Sequence, residues 1–152
     1  SPLVTPIKLK KANDDKKLSN LIRLPILQET EDGHLGMGYF GLDGRSVFKE
    51  GVAAMVGLTG HALKSTGFTV NDIDWFVYHQ ANGAMLRMVG RKVGMEDKRN
   101  LMNIHEVANT TAGTVPSVLH KYMENGTIKR GDKVCCVAFG GGLTSGYYVF
   151  EY

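Results

Sequence analysis

A disulfide framework is the first thing this sequence lacks. Its 152 residues hold two cysteines, and these are the neighbours Cys135 and Cys136, so reducing surroundings and a cytoplasmic setting are expected. Long hydrophobic runs are missing as well. No apolar stretch approaches the ~20 residues that cross a bilayer, which argues against a membrane partner. No basic segment followed by an apolar one opens the chain, so no secretory signal is visible. The glycosylation-type triplets beginning at Asn109 and Asn125 therefore have no evident use. None of the five histidines stands at ligand spacing from another His or a Cys, so no metal site is expected. Charge of one sign is absent from most of the chain. The net +3 lies entirely in residues 1–20, where Lys8, Lys10, Lys11, Lys16 and Lys17 face Asp14 and Asp15. A nucleic-acid reader carries a basic face on its folded part, and here the remainder is balanced, so no nucleic-acid partner is expected. The chain starts at Ser1 without Met, which is read as a cut through a longer chain.

What is present fits a globular α/β domain. Hydrophobic residues make up 43% and charged residues 22%, an ordinary balance for a chain of this length with a real core. Residues 1–42 read as a lysine- and glycine-rich opening segment, with a strand at Val4–Leu9 and a loop or edge strand at Leu21–Leu27, interrupted by Pro25. Gly36-Met-Gly-Tyr-Phe-Gly41 matches a dinucleotide fingerprint by letter. It lacks the preceding strand that would make it one, and 31–44 reads as connecting chain.

From residue 46 the pattern is regular. Phe48, Val52, Met55, Val56, Ala62 and Leu63 predict a helix over 46–65. Thr69–Asp72 reads as a capping box, and Trp75–Tyr78 as a strand covered on both faces. Helices are expected over 82–93, ended by Gly94, and over 112–124, ended by Gly126. Between them lie a short strand at 100–103 and a polar loop at 104–111. Lys133–Phe139 reads as a buried strand, Gly140–Gly142 as a turn and Gly146–Glu151 as a closing strand. Crossover connections of this kind gather ligand chemistry at the carboxyl ends of the strands.

Three segments fall at those ends. His79 follows a buried strand, and is either a helix-start residue bonded to backbone or a hydrogen-bond donor to substrate. Asn109 precedes Thr110 and Thr111, either of which could cap the next helix, so it is either turn chemistry or a second donor. Gly140–Gly142 is either plain hairpin geometry or a source of backbone N–H groups for an oxyanion. Taken together, a neutral His, an Asn amide and glycine N–H groups suit acyl or carbanion chemistry on a thioester or similar carbonyl. A nucleophile is missing from the set, because Cys135 and Cys136 sit inside an apolar strand, where thiols are inert.

These residues resemble the C-terminal half of a β-ketoacyl-acyl-carrier-protein synthase III, in the thiolase-like superfamily. The matching pieces are Asp74-Trp-Phe-Val-Tyr-His-Gln-Ala-Asn82, Asn109-Thr-Thr-Ala-Gly-Thr-Val-Pro116, Gly126-Thr-Ile-Lys-Arg-Gly-Asp132 and Ala138-Phe-Gly-Gly-Gly-Leu-Thr144. They stand in the family's order, and the resemblance covers about residues 43–152, read as one thiolase-like half-domain. It implies a layered α/β fold built from two similar halves, of which this is the second, with a mixed sheet and crossover helices. His79 and Asn109 would polarise the malonyl thioester during decarboxylation, and Gly141 would donate its N–H to the oxyanion of acyl transfer and condensation. Ala81, Asn82, Phe48 and Phe139 would line or support the pantetheine tunnel. Acyl-CoA and malonyl carrier protein are the implied substrates, with no further cofactor. The implied partners are an N-terminal half bearing the nucleophilic Cys, an acyl carrier protein, and a second complete subunit in a dimer.

The chain departs from the family at two places. Ala84 stands where Arg is common, with Arg87 a turn later, and Arg45 stands where an Asn commonly touches substrate. Both departures suit a synthase III-like acyltransferase of secondary metabolism as well as a fatty-acid starter enzyme. A non-catalytic partner half is the remaining alternative.

Overall fold

The computed structural model describes residues 8–10, 22–23, 27–29, 35–37, 41–141 and 144–152. Its first five strands are short: β1 (Lys8–Lys10), β2 (Ile22–Arg23), β3 (Leu27–Glu29), β4 (Leu35–Met37) and β5 (Gly41–Leu42). β2 pairs with β5 and β3 with β4, each antiparallel, so the glycine-rich stretch 31–44 expected to be connecting chain contains one strand of each pair. The expected strand at Val4–Leu9 is met at Lys8 and Leu9, and the rest of it lies outside the described residues, as does Gly142.

The helical period from Phe48 onward builds α1 (Gly44–Thr66). Asp43 starts it by accepting the Ser46 N–H at 3.1 Å, a bond that also holds the Asp43 carboxyl below its ordinary pKa. Gly67, at φ 75°, ends it in the left-handed region that glycine occupies without a Cβ penalty. A 3-10 turn at Val70–Asp72 carries the expected capping box, and β6 (Trp75–Tyr78) follows. Then come α2 (Gly83–Val93), β7 (Asn100–Leu101), α3 (Ile104–Val107), α4 (Thr114–Glu124), β8 (Lys133–Phe139) and β9 (Ser145–Glu151).

β1, β9, β8, β6 and β7 form one mixed sheet in that order. β6 runs parallel to both β7 and β8, while β9 is antiparallel to β8 and to β1. Helices cover both faces, which is why β6 and β8 read as unbroken apolar runs. Phe76 and Tyr78 of β6, Cys135, Val137 and Phe139 of β8, and Tyr147 and Val149 of β9 pack with α1 and α2. Val77, Val134 and Cys136 point the other way, against Val115 and Val118 of α4. The period of two along a strand thus sends the adjacent cysteines to opposite faces. Tyr78 is fully buried, and its hydroxyl lies 3.0 Å from Thr59 Oγ1 of α1, which in turn donates to the Met55 carbonyl.

Three expectations need correction. The segment 104–111 is not all loop, since α3 opens it and a 3-10 turn at Thr111–Gly113 begins at its last residue. Four residues are too few to show a helical period. Neither Thr110 nor Thr111 caps the following helix: α4 begins at Thr114, after Gly113, with no side-chain cap. The strand expected over 100–103 stops at Leu101.

Candidate functional site

Because β6 and β8 are parallel and in register, their carboxyl ends leave the sheet side by side. Tyr78 pairs with Val137, and the His79 N–H continues the ladder to the Val137 carbonyl at 2.8 Å. His79 and the Gly140 turn therefore emerge at one edge of the sheet. The half-buried imidazole meets the Phe139 ring edge-on, with centroids 5.4 Å apart at 90°. On its other side, Nδ1 lies 2.7 Å from Thr114 Oγ1, at the first turn of α4. Burial holds the His79 pKa below its ordinary value, because desolvation penalises the imidazolium. The ring is neutral at pH 7.

Phe139 is held by a close backbone approach. A Cβ built on Gly51 of α1 would lie 2.8 Å from Phe139 Cζ, so only glycine leaves room for the ring. Gly51→Ala is expected to destabilise the fold by about 1–3 kcal/mol as an overpacking change, and to displace the ring that abuts His79. Urea unfolding measures the first effect, and the ring-current shift of the His79 protons measures the second.

Asn109 lies in an exposed loop between α3 and α4. Its Oδ1 accepts the Thr111 N–H at 2.9 Å, which turns the amide end, Nδ2, into the donor that the turn does not use. The loop is strained on both sides, with Ala108 at φ 57° and Thr111 at φ 54°. Ala108 also has ψ −162°, a region close to glycine-only, and such strain costs of order 1–3 kcal/mol. Ala108→Gly is therefore expected to stabilise the fold by about 1 kcal/mol after the glycine entropy cost, read from the urea midpoint. The Lys121 ammonium, bonded to Glu106, ties α3 to α4 beneath this loop.

In the Gly140 turn, the Gly140 N–H donates to the Thr144 carbonyl at 2.8 Å and the Thr144 N–H to the Gly141 carbonyl at 3.4 Å. Among the described residues, neither of those two bonds uses the Gly141 N–H. Asn82 caps α2, with Oδ1 accepting from Ala84 N at 2.8 Å and Met85 N at 3.3 Å. Ala81 and Phe48 pack partly buried against the core around α1 and α2, and Arg45 is exposed in the first turn of α1. His79, Phe139 and Thr114 are thus in mutual reach through His79. No hydrogen bond joins His79 to Asn109 or to Gly141 among the described residues.

Neither cysteine supplies a thiolate. Burial pushes the Cys136 thiol up to about 12 and the Cys135 thiol upward as well. A cavity of about 370 Å³ lies at the β7 edge, lined by Trp75, Asn100, His105 and Tyr122 among others. None of the candidate residues lines it.

A family model described as 3-oxoacyl-[acyl-carrier-protein (ACP)] synthase III C terminal matches residues 63–152. The chain belongs to this synthase III C-terminal family. The β-ketoacyl-[acyl-carrier-protein] synthase III of Neorickettsia sennetsu is 36% identical over 115 residues, 76% of this chain and 37% of that relative. A solved 3-oxoacyl-(acyl carrier protein) synthase III from Pseudomonas aeruginosa superposes with a TM-score of 0.84 at 27% identity, over 96% of this chain and 43% of its own. The corresponding synthase from Thermus thermophilus gives 0.86 at 28% identity, over 98% and 46%. The chain spans little more than a third of the length of that curated relative. Its mixed α/β sheet with crossover helices is the thiolase-like fold of these synthases.

Several residues in and beside the matched segments hold the fold together. Asp132 accepts the Trp75 indole N–H at 2.8 Å, and Asp74 accepts the Lys133 N–H at 2.7 Å. Gln80 is fully buried and accepts the Asn103 N–H. Thr114 and Gly51 were not legible as site residues. Thr114 stands 35 positions from His79, and Gly51 lies inside a helix that reads equally well without it.

Proposed function

We propose that this chain is the C-terminal catalytic half of a β-ketoacyl-acyl-carrier-protein synthase III, condensing an acyl-CoA starter with a malonyl group on carrier protein. The observation that carries the reading is the half-buried His79 at the carboxyl end of β6, its ring set between Phe139 and the Thr114 hydroxyl, in a chain whose own thiols are buried. The family membership and the likeness to synthase III structures support it.

When the malonyl thioester loses CO₂, the C–C bonding pair moves toward the thioester carbonyl and its oxygen becomes an enolate. A neutral His79 N–H and the Asn109 Nδ2 amide donate hydrogen bonds to that oxygen, where charge develops. The enolate carbon then attacks the acyl thioester carried by a Cys on the N-terminal half. A C–C bond forms, the C–S bond breaks, and the thiolate leaves. The Gly141 N–H stabilises the tetrahedral oxyanion of this step. Ala81, Asn82, Phe48, Phe139 and Arg45 lie along the approach of the pantetheine arm. Every electron pair moves between substrate and protein groups, so acyl-CoA and malonyl carrier protein suffice without a further cofactor. The complete enzyme acts as a cytoplasmic dimer with an acyl carrier protein as partner. Among the described residues, no helix is long and apolar enough to cross a membrane.

The test is to incubate the complete protein that carries this chain with acyl-CoA and malonyl carrier protein, and to identify the product by mass. A β-ketoacyl thioester with release of CO₂ supports the reading. Acyl transfer to an acceptor without decarboxylation, or a complete protein with no nucleophilic Cys, overturns it.

A further inference from the structure

A neutral imidazole has one N–H, so a ring that donates from Nε2 must accept at Nδ1. The group facing Nδ1 is the Thr114 hydroxyl, at 2.7 Å. That hydroxyl has one proton and two acceptors in reach, because the Thr111 carbonyl lies 3.0 Å away. The Thr111 carbonyl already accepts the Thr114 backbone N–H. Its need for a partner is met without the hydroxyl, whereas the imidazole nitrogen is the more basic acceptor and lies nearer. The Thr114 side chain is also held in place. It is 1% exposed at the start of α4, and its β-branched side chain has few χ1 rotamers open to it in a helix. Its carbonyl accepts the Ser117 hydroxyl at 3.0 Å, and Ser117 Oγ in turn takes the Asn103 amide at 3.1 Å.

We propose that Thr114 is a positioning residue that selects the tautomer of His79. Its hydroxyl donates to Nδ1, and the single ring proton is thereby placed on Nε2. The inference rests on the reading of His79 as a donor to the enolate oxygen, which a ring protonated at Nδ1 and bonded to Thr114 could not be. It also gives the α4 end of the Asn109 loop a second role, since the segment that carries Asn109 then sets the protonation of its partner across the site.

The test combines spectroscopy with kinetics on the complete protein, labelled with ¹⁵N in the His rings and with the His79 signals identified by their loss in His79→Ala. The wild type and Thr114→Ser are expected to show an unprotonated Nδ1 and a protonated Nε2. Thr114→Val, which keeps the shape and removes the hydroxyl, is expected to show a mixture of tautomers. Its kcat for malonyl decarboxylation should fall about 10-fold, with KM unchanged and Thr114→Ser restoring the rate. That is less than the 10²–10³ typical of a lost oxyanion donor, because a fraction of the rings stays correctly protonated. A wild-type ring protonated at Nδ1 overturns the proposal, as does a folded Thr114→Val variant with unchanged tautomer and rate. If Thr114→Val fails to fold, the tautomer in wild type and Thr114→Ser still decides. Failure of the wider reading is a separate result: His79→Ala would then keep its decarboxylase rate whatever the tautomer.

Discussion

Replacing His79 with Ala should lower malonyl decarboxylation by the complete protein about 10²- to 10³-fold, the cost of one oxyanion donor. Asn109→Ala should fall in the same range, and the double variant should lose less than the product of the two, because both donors serve one oxygen. Transfer of the starter acyl group to the enzyme should persist in either variant, since it depends on the thiol of the N-terminal half. A radiolabelled malonyl substrate separates the two activities by counting released CO₂ against bound acyl group. Full decarboxylation in both single variants would sink the site assignment. Burial sets the pH behaviour. His79 titrates below the ordinary 6.5 in the folded state, so the rate should hold flat as pH drops through 6.5 and decline only below the depressed value. The unfolded chain binds the proton first on acidification. Stability linked to His79 is therefore fully present above pH 6.5 and is lost as pH falls toward the folded value.

Gln80→Leu should destabilise the fold by about 2–4 kcal/mol, with no substrate contact involved. Gln80 is fully buried directly behind His79. Its Nε2 donates to the Tyr78 carbonyl at 2.7 Å, and its Oε1 accepts the Asn103 N–H at 3.1 Å. Leucine would fill similar space and leave both backbone groups without that partner, and each buried polar group so orphaned costs about 1–3 kcal/mol. The bond to Asn103 joins the end of β6 to the start of α3, so the Asn109 loop should loosen as well. Urea unfolding reads the stability, and amide exchange at Asn103 reads the bond. A midpoint within error of wild type would refute the structural role given to Gln80.

The helices α1, α2 and α4 were legible because each is long enough for apolar residues such as Val52, Met55 and Leu58 to repeat on one face. β6 and β8 were legible for the opposite reason, since cover on both faces makes the whole strand apolar. The short strands β3, β4 and β5 are not legible, and β2 falls in the segment Leu21–Leu27 that reads as a loop or edge strand. Two or three residues cannot display a period of two, and glycine conceals strand propensity. The four residues of α3 escaped in the same way. Ala108 carries no mark of its strained backbone, because strain is imposed by the neighbours that hold the loop.

By themselves, the residues established an α/β chain with a balanced folded part and two strand-bound thiols, and they brought His79, Asn109 and Gly141 forward as a set. Local rules reach that far because periodicity, capping and turn chemistry act over a few positions. Only the tertiary structure decided what surrounds His79. The Thr114 hydroxyl, the Phe139 ring and the gap left by Gly51 come from three separate elements, and parallel pairing of β6 with β8 and packing of α1 and α4 on opposite faces place them there. Desolvation by that packing, a property of no single residue, is what lowers the pKa of the imidazole.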